Sequence, residues 1–114
     1  MADAGVAPAS FLSIIIPTYQ EASLIGLLVQ HCLAQPGVLE VIVVDAASTD
    51  GTSKLAKANG AAVHPAVKAG RAPQMNQGAA VARGPVLHFI HAYSWPPDSF
   101  PEAIAHAVSQ DYAA

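Results

Sequence analysis

Residues 11–19 read FLSIIIPTY and residues 39–46 read LEVIVVDA. Each is a short, unbroken apolar run that closes on polar or turn-forming residues. Neither alternates apolar with polar side chains, so each reads as a strand buried on both faces, over Leu12 to Ile16 and Leu39 to Asp45. Between them, Leu24, Leu27, Leu28 and Cys32 recur at helical spacing, which predicts a helix over Ala22 to Ala34 stopped by Pro36-Gly37.

The alternation continues outward. The loop Ala46 to Gly51 leads to a helix over Thr52 to Asn59, ended by Gly60. A weaker strand over Ala62 to His64 and the loop Pro65 to Gly70 precede a third helix over Pro73 to Arg83, with Ala72, Met75, Ala79 and Ala82 on its small-residue face. After Gly84-Pro85, VLHFIH predicts a strand over Val86 to His91. Ser99 and Glu102 then form an S-x-x-E capping box for a last helix striped by Ile104 and Val108. Strands alternating with helices at this spacing predict an α/β fold, an open parallel sheet of about four strands with helices on both faces.

Size and composition agree. With 114 residues and 53% hydrophobic side chains, the chain suits one compact domain over 11–114 behind a flexible lead-in, MADAGVAPAS, over 1–10. The first apolar run is too short for a signal sequence or a membrane span. A net charge of −3 argues against nucleic-acid binding by broad phosphate neutralisation. The five basic residues all fall between Lys54 and Arg83, where no acid stands, so that stretch suits either a small anionic ligand or solvated helix faces. A single cysteine, Cys32, forms no intrachain disulfide and favours a reducing, cytoplasmic setting.

In open sheets of this kind, ligands bind beyond the carboxyl ends of the strands. Those ends carry PTYQE (17–21), DAASTDGT (45–52) and HAYS (91–94). No G-x-G-x-x-G follows the first strand, which argues against a dinucleotide-binding Rossmann domain, and no glycine-rich basic loop stands there as a nucleotidyltransferase would need. Taken in order, IIIPTYQE, EVIVVDAASTDGT and GRAPQMNQGAAVARGPVLHFIHA resemble the nucleotide-sugar-binding part of family 2 glycosyltransferases with the Rossmann-like GT-A fold. The G-R-x-x-Q-M-N-x-G segment and the pair His91-Ala92 are most similar to the bacterial arsenosugar-biosynthesis-type branch.

The resemblance implies a nucleoside-diphosphate sugar as ligand, with a UDP-like donor preferred, and transfer to an acceptor with inversion. It places Tyr19 as a stacking surface for the base, Asp45 as acceptor for an imide N–H, and Arg71 beside the nucleotide just before the third helix. Thr18, Glu21, Asp50 and Asn76 complete the nucleotide-binding candidates. Thr18 and Glu21 also fit a capping box for the first helix, and Asp50 an N-cap for the second.

Three departures from the family pattern carry consequences. The resemblance implies Mg²⁺ or Mn²⁺ held at the end of the fourth strand, but the aligned residues are His91, Ala92 and Tyr93, with Tyr93 where a carboxylate normally stands. A neutral phenol is a poor ligand for either cation, which leaves His91 as the metal candidate and weak cation dependence as the expectation. Asp98 lies several residues further on. Asp45-Ala46-Ala47 replaces D-D-G, which Ala47 accommodates only if its φ stays negative. Family members are also longer, their remaining part supplying the acceptor site and general base, so the alternative is an inactive binding or assembly module that self-associates.

Overall fold

The sheet follows from two rows of side chains on one strand. In the computed structural model, which describes residues 9–113, β1 (Leu12–Thr18) runs through the centre with every residue but Pro17 buried. Leu12, Ile14 and Ile16 point to one face and Ile15 to the other, the period-2 alternation of a strand. β1 pairs in parallel with β2 (Val38–Asp45) on one side and with β4 (Val86–Phe89) on the other, and β2 pairs in parallel with β3 (Ala62–Pro65). The order is β3-β2-β1-β4. The expected lead-in over 1–10 lies outside the described residues except for Ala9 and Ser10.

Two layers of unequal depth cover the sheet. On one face α1 (Ala22–Leu33), α2 (Thr52–Ala58) and α4 (Phe100–Ala113) build the larger core, in which Ile25, Leu28, Val29, Cys32, Ala56 and Phe100 close over Leu12, Ile14, Ile16, Val41 and Val43. On the other face α3 (Arg71–Val81) covers Ile15, Ile42 and Val44 with Ala79 and Ala82. Helix α3 can sit this low because Gly78 has no side chain: a Cβ there would lie 2.5 Å from Ile15 Cγ2. Buried Ser13 and half-buried Glu40 lock the far end of this layer. Glu40 accepts from Ser13 Oγ (2.7 Å), Arg83 N–H (2.6 Å) and Arg83 Nε (3.2 Å).

Several element details differ from the sequence-based expectation. The buried stripe of α1 is Ile25, Leu28, Val29 and Cys32, whereas Leu24 and Leu27 are exposed. The sequence holds two overlapping apolar stripes at helical spacing, and docking against α2 and the sheet selects one. Helix α3 starts at Arg71 rather than Pro73. Proline is tolerated there because first-turn amides have no intrahelical acceptor. Its buried face is Gln74 and Gly78, not Ala72 and Met75. Strand β4 ends at Phe89 rather than His91, although Ile90 N–H still reaches Ile15 O at 3.1 Å. The reciprocal capping box at α4 does not form, because Ser99 has φ +63° and its N–H donates to Gln35 Oε1 at 2.8 Å.

Burial raises the Cys32 thiol to about 11, so it is an inert core side chain. No described helix is long and apolar enough to cross a membrane.

Gly78→Ala is expected to destabilise the protein by about 1–3 kcal/mol, the usual cost of overpacking a close contact. A urea melt reads the change, and an unaltered midpoint would show that α3 can lift off β1 freely.

Candidate functional site

A parallel sheet delivers all its strand ends to one edge, so the polar residues after β1, β2 and β4 meet there. The junction of the first two is built around Asp45, which is only 3% exposed. Its Oδ1 accepts from Thr18 Oγ1 (2.7 Å) and Ser48 Oγ (2.6 Å), and its Oδ2 from Ser48 N–H (3.0 Å) and Ser53 Oγ (3.0 Å). Four donors fill the acceptor sites of a carboxylate, which is the condition for burying its charge. Burial by itself would raise the Asp45 pKa, but the bonds from Ser48, Thr18 and Ser53 outweigh it and hold the carboxyl below its ordinary value.

Further bonds zip the β1–α1 loop to the β2–α2 loop. Gln20 N–H donates to Ser48 Oγ (2.8 Å), Thr49 N–H to Gln20 Oε1 (2.6 Å), and Glu21 N–H to Thr52 Oγ1 (2.9 Å). Asp50 takes Ala22 N–H on Oδ2 (3.0 Å) and Thr52 N–H on Oδ1 (3.1 Å), so one carboxylate serves the first turns of α1 and α2 together. The capping box expected from Thr18 and Glu21 is absent: Thr18 is spent on Asp45, and Glu21 makes no side-chain cap. The zipped loops hold two non-glycine residues in left-handed backbone, Gln20 at φ +55° and Ala47 at φ +54°. The expectation that Ala47 keeps a negative φ is thus corrected. The turn after Asp45 keeps the geometry that suits glycine, and Ala47 bears the strain.

Gln74, to which the sequence reading assigned no role, ties α3 to this edge. Its Nε2 donates to Val44 O (2.7 Å) and Thr18 O (3.1 Å), and its Oε1 accepts Gly70 N–H (2.9 Å). The available signal was a glutamine four residues before Gly78 on the small-residue face of a helix, where a buried amide must find partners.

Among the described residues, the clefts on this edge include a larger and a smaller one that flank Thr18 and Asp45. The larger, about 560 Å³, lies beyond β2 and β3 and is walled by Asp45, Ser48, Ser53, Lys54, Lys57 and Ala66. The smaller, about 140 Å³, lies beyond β1 and β4 and takes Thr18, Tyr19, Glu21, Arg71, His91 and Tyr93. Their walls touch through the Thr18–Asp45 bond. Tyr19 is 61% exposed. Arg71 Nη2 approaches Tyr93 Oη at 3.4 Å, and the Tyr93 ring stacks on His91 with centroids 5.2 Å apart. Asn76, exposed on α3, and Asp50 line neither cleft. Asp98 turns away, its Oδ1 4.0 Å from His31 Nδ1. Among the described residues, no three His, Cys, Asp or Glu side chains gather as a metal-binding group.

The fold has counterparts in known proteins. The family model described as Glycosyl transferase family 2 matches residues 13–114. Mannosyl-3-phosphoglycerate synthase from Rubrobacter xylanophilus superposes with a TM-score of 0.69 at 26% identity, over 76% of this chain and 32% of that one. Glucosyl-3-phosphoglycerate synthase from Mycobacterium tuberculosis, in complex with Mn²⁺, UDP and glucosyl-3-phosphoglycerate, superposes with a TM-score of 0.70 at 25% identity, over 88% of this chain and 39% of that one. Other structures of that enzyme hold UDP-glucose with Mn²⁺, or UDP with Mg²⁺. The chain thus spans 32% to 39% of the length of these two proteins. No curated protein matches it.

Two outcomes follow from the Asp45 edge. Ala47→Gly is expected to stabilise the fold by about 1 kcal/mol by releasing the left-handed strain, read as a higher urea midpoint. A lower midpoint would show that the turn gains nothing from glycine. The second concerns acid. Because the folded pKa of Asp45 is depressed, its contribution is full above the unfolded value of about 3.9 and is lost as pH falls through the folded value. The stability advantage of wild type over Asp45→Asn should shrink across that window, and a constant gap would contradict the assignment.

Proposed function

The chain belongs to glycosyl transferase family 2, and from that premise we propose that its strand-end clefts bind a nucleoside-diphosphate sugar of the UDP type. The observation that carries the reading is the juxtaposition of exposed Tyr19, the Asp45 wall and Arg71 at the carboxyl edge of a parallel sheet. An aromatic ring in water offers a stacking face for a base, a buried carboxylate offers a charge-assisted acceptor for its imide, and a guanidinium offers a cation for the phosphates. The UDP and UDP-glucose complexes of the Mycobacterium enzyme support that ligand class.

The geometry adds a condition. Asp45 has no unused acceptor site, so an imide N–H must displace one donor. Ser53 Oγ is the simplest to release: it lines the larger cleft, and its hydroxyl rotor can turn to another partner. The exchange trades one bond to the carboxylate for another, which keeps its cost small. Thr18, Glu21 and Arg71 line the ligand's path, while Asp50 acts from behind by holding the loops.

The reaction proposed is transfer of the sugar to an acceptor with inversion, the acceptor hydroxyl attacking opposite the departing nucleoside diphosphate while a base removes its proton. The segment GRAPQMNQG (70–78) and His91-Ala92 favour the arsenosugar-biosynthesis-type branch as its place within the family. Inert, unpaired Cys32 is compatible with a reducing, cytoplasmic setting.

Calorimetric titration with UDP tests the binding. Saturable heat is expected, and Tyr19→Ala should weaken it by about 1–3 kcal/mol, the usual loss for a base stacked on an aromatic ring. A folded protein that gives no heat would end the proposal and favour the assembly-module alternative.

A further inference from the structure

The smaller cleft poses a charge problem. Structures of the Mycobacterium relative contain UDP together with Mn²⁺ or Mg²⁺, and a diphosphate brought to this edge needs a positive counterpart. The donor set here suits a divalent cation poorly. Among the described residues, Glu21 is the one carboxylate lining the cleft and His91 the one imidazole, and Tyr93 contributes a phenol. Magnesium asks for several hard, anionic or water oxygens in near-octahedral array, and manganese for carboxylates with tolerance of imidazole. A guanidinium also stands in the same cleft, with Arg71 Nη2 3.4 Å from Tyr93 Oη. A cation bound beside the phenol would sit against that fixed positive charge.

Resting on the nucleotide-sugar reading, we propose that this chain meets the diphosphate directly with Arg71, oriented by Tyr93 and flanked by His91, in place of a divalent cation. The parts suit this arrangement. Guanidinium carries five N–H donors in a planar fork that matches phosphate oxygens, and the contact with Tyr93 uses one of them. The Tyr93 ring, 66% exposed, lies 9° from parallel with the His91 imidazole at a centroid distance of 5.2 Å, so the hydroxyl that Arg71 approaches is carried on a two-ring stack beyond the end of β4. Arg71 is set from the other side by the first turn of α3, which Gln74 clamps to Gly70 and to the ends of β1 and β2. Tyr93 faces Arg71 with an uncharged phenol, so the guanidinium's charge is met by no carboxylate among the described ion pairs and is left to pair with the ligand. Tyr93 is a positioning residue, and Arg71 is the group that touches the phosphates.

The test compares UDP with uridine, which has the base and sugar but no phosphate, on wild type and Arg71→Gln, each in EDTA and in Mn²⁺. Arg71 is exposed and holds no core contact, so the variant should fold, as circular dichroism will check. UDP is expected to bind wild type within about twofold equally in EDTA and Mn²⁺, and Arg71→Gln to lose about tenfold for UDP while uridine is unchanged. A rise of tenfold or more in wild-type affinity for UDP on adding Mn²⁺ would overturn the inference and leave the nucleotide reading standing. So would equal losses for UDP and uridine, which would put Arg71 on the nucleoside. If folded wild type binds neither, both readings fall.

Discussion

The Asp45 carboxylate is the interaction on which the strand-end edge depends. A buried negative charge is tolerable only when its acceptor sites are filled, and the four donors that fill them come from β1, from the β2–α2 loop and from the start of α2. Satisfying one aspartate therefore fixes three pieces of chain relative to one another. Once they are fixed, the remaining loop bonds through Gln20, Glu21 and Asp50 follow at short range, and the strain at Gln20 and Ala47 is held by a surrounding network that leaves it no room to relax.

The second dependency runs through α3. Only a helix with glycine at position 78 can lie close enough to Ile15 for the Gln74 amide to reach the carbonyls of Thr18 and Val44. That contact ties the buried ends of β1 and β2 together and sets the first turn of α3 above the edge. Arg71 stands where it does for that reason. Packing at the bottom of the helix thus decides where the charge at its top is presented, and a core contact becomes a property of the ligand cleft.

Family membership gives these features a chemical setting. The mannosyl- and glucosyl-3-phosphoglycerate synthases share the fold of this chain over about a third of their length. Tyr93 presents a phenol to the smaller cleft from beyond the sheet, because the chain has already left β4 at Phe89.

The strands called at 12–16 and 39–45, which the fold extends to 12–18 and 38–45, the helices after them and the parallel sheet were legible from sequence, because mostly apolar runs and helical spacing report burial directly. So were Thr18, Tyr19, Glu21, Asp45, His91 and Tyr93 as residues of one edge, since strand ends in a parallel sheet share a side whatever the details, whereas Arg71, at the start of α3, came from the family resemblance. The partners of those residues were not legible. Thr18 and Glu21 spell a capping box, yet Thr18 bonds Asp45, 27 positions away. Asp50 spells a cap for one helix and serves two. Leu24 and Leu27 match a buried stripe as well as Ile25 and Val29 do, and only docking against a neighbour chooses between them. Local spacing is written in the chain, whereas a hydrogen bond goes to whichever donor the completed fold brings within 3 Å, and that was decided by the tertiary structure.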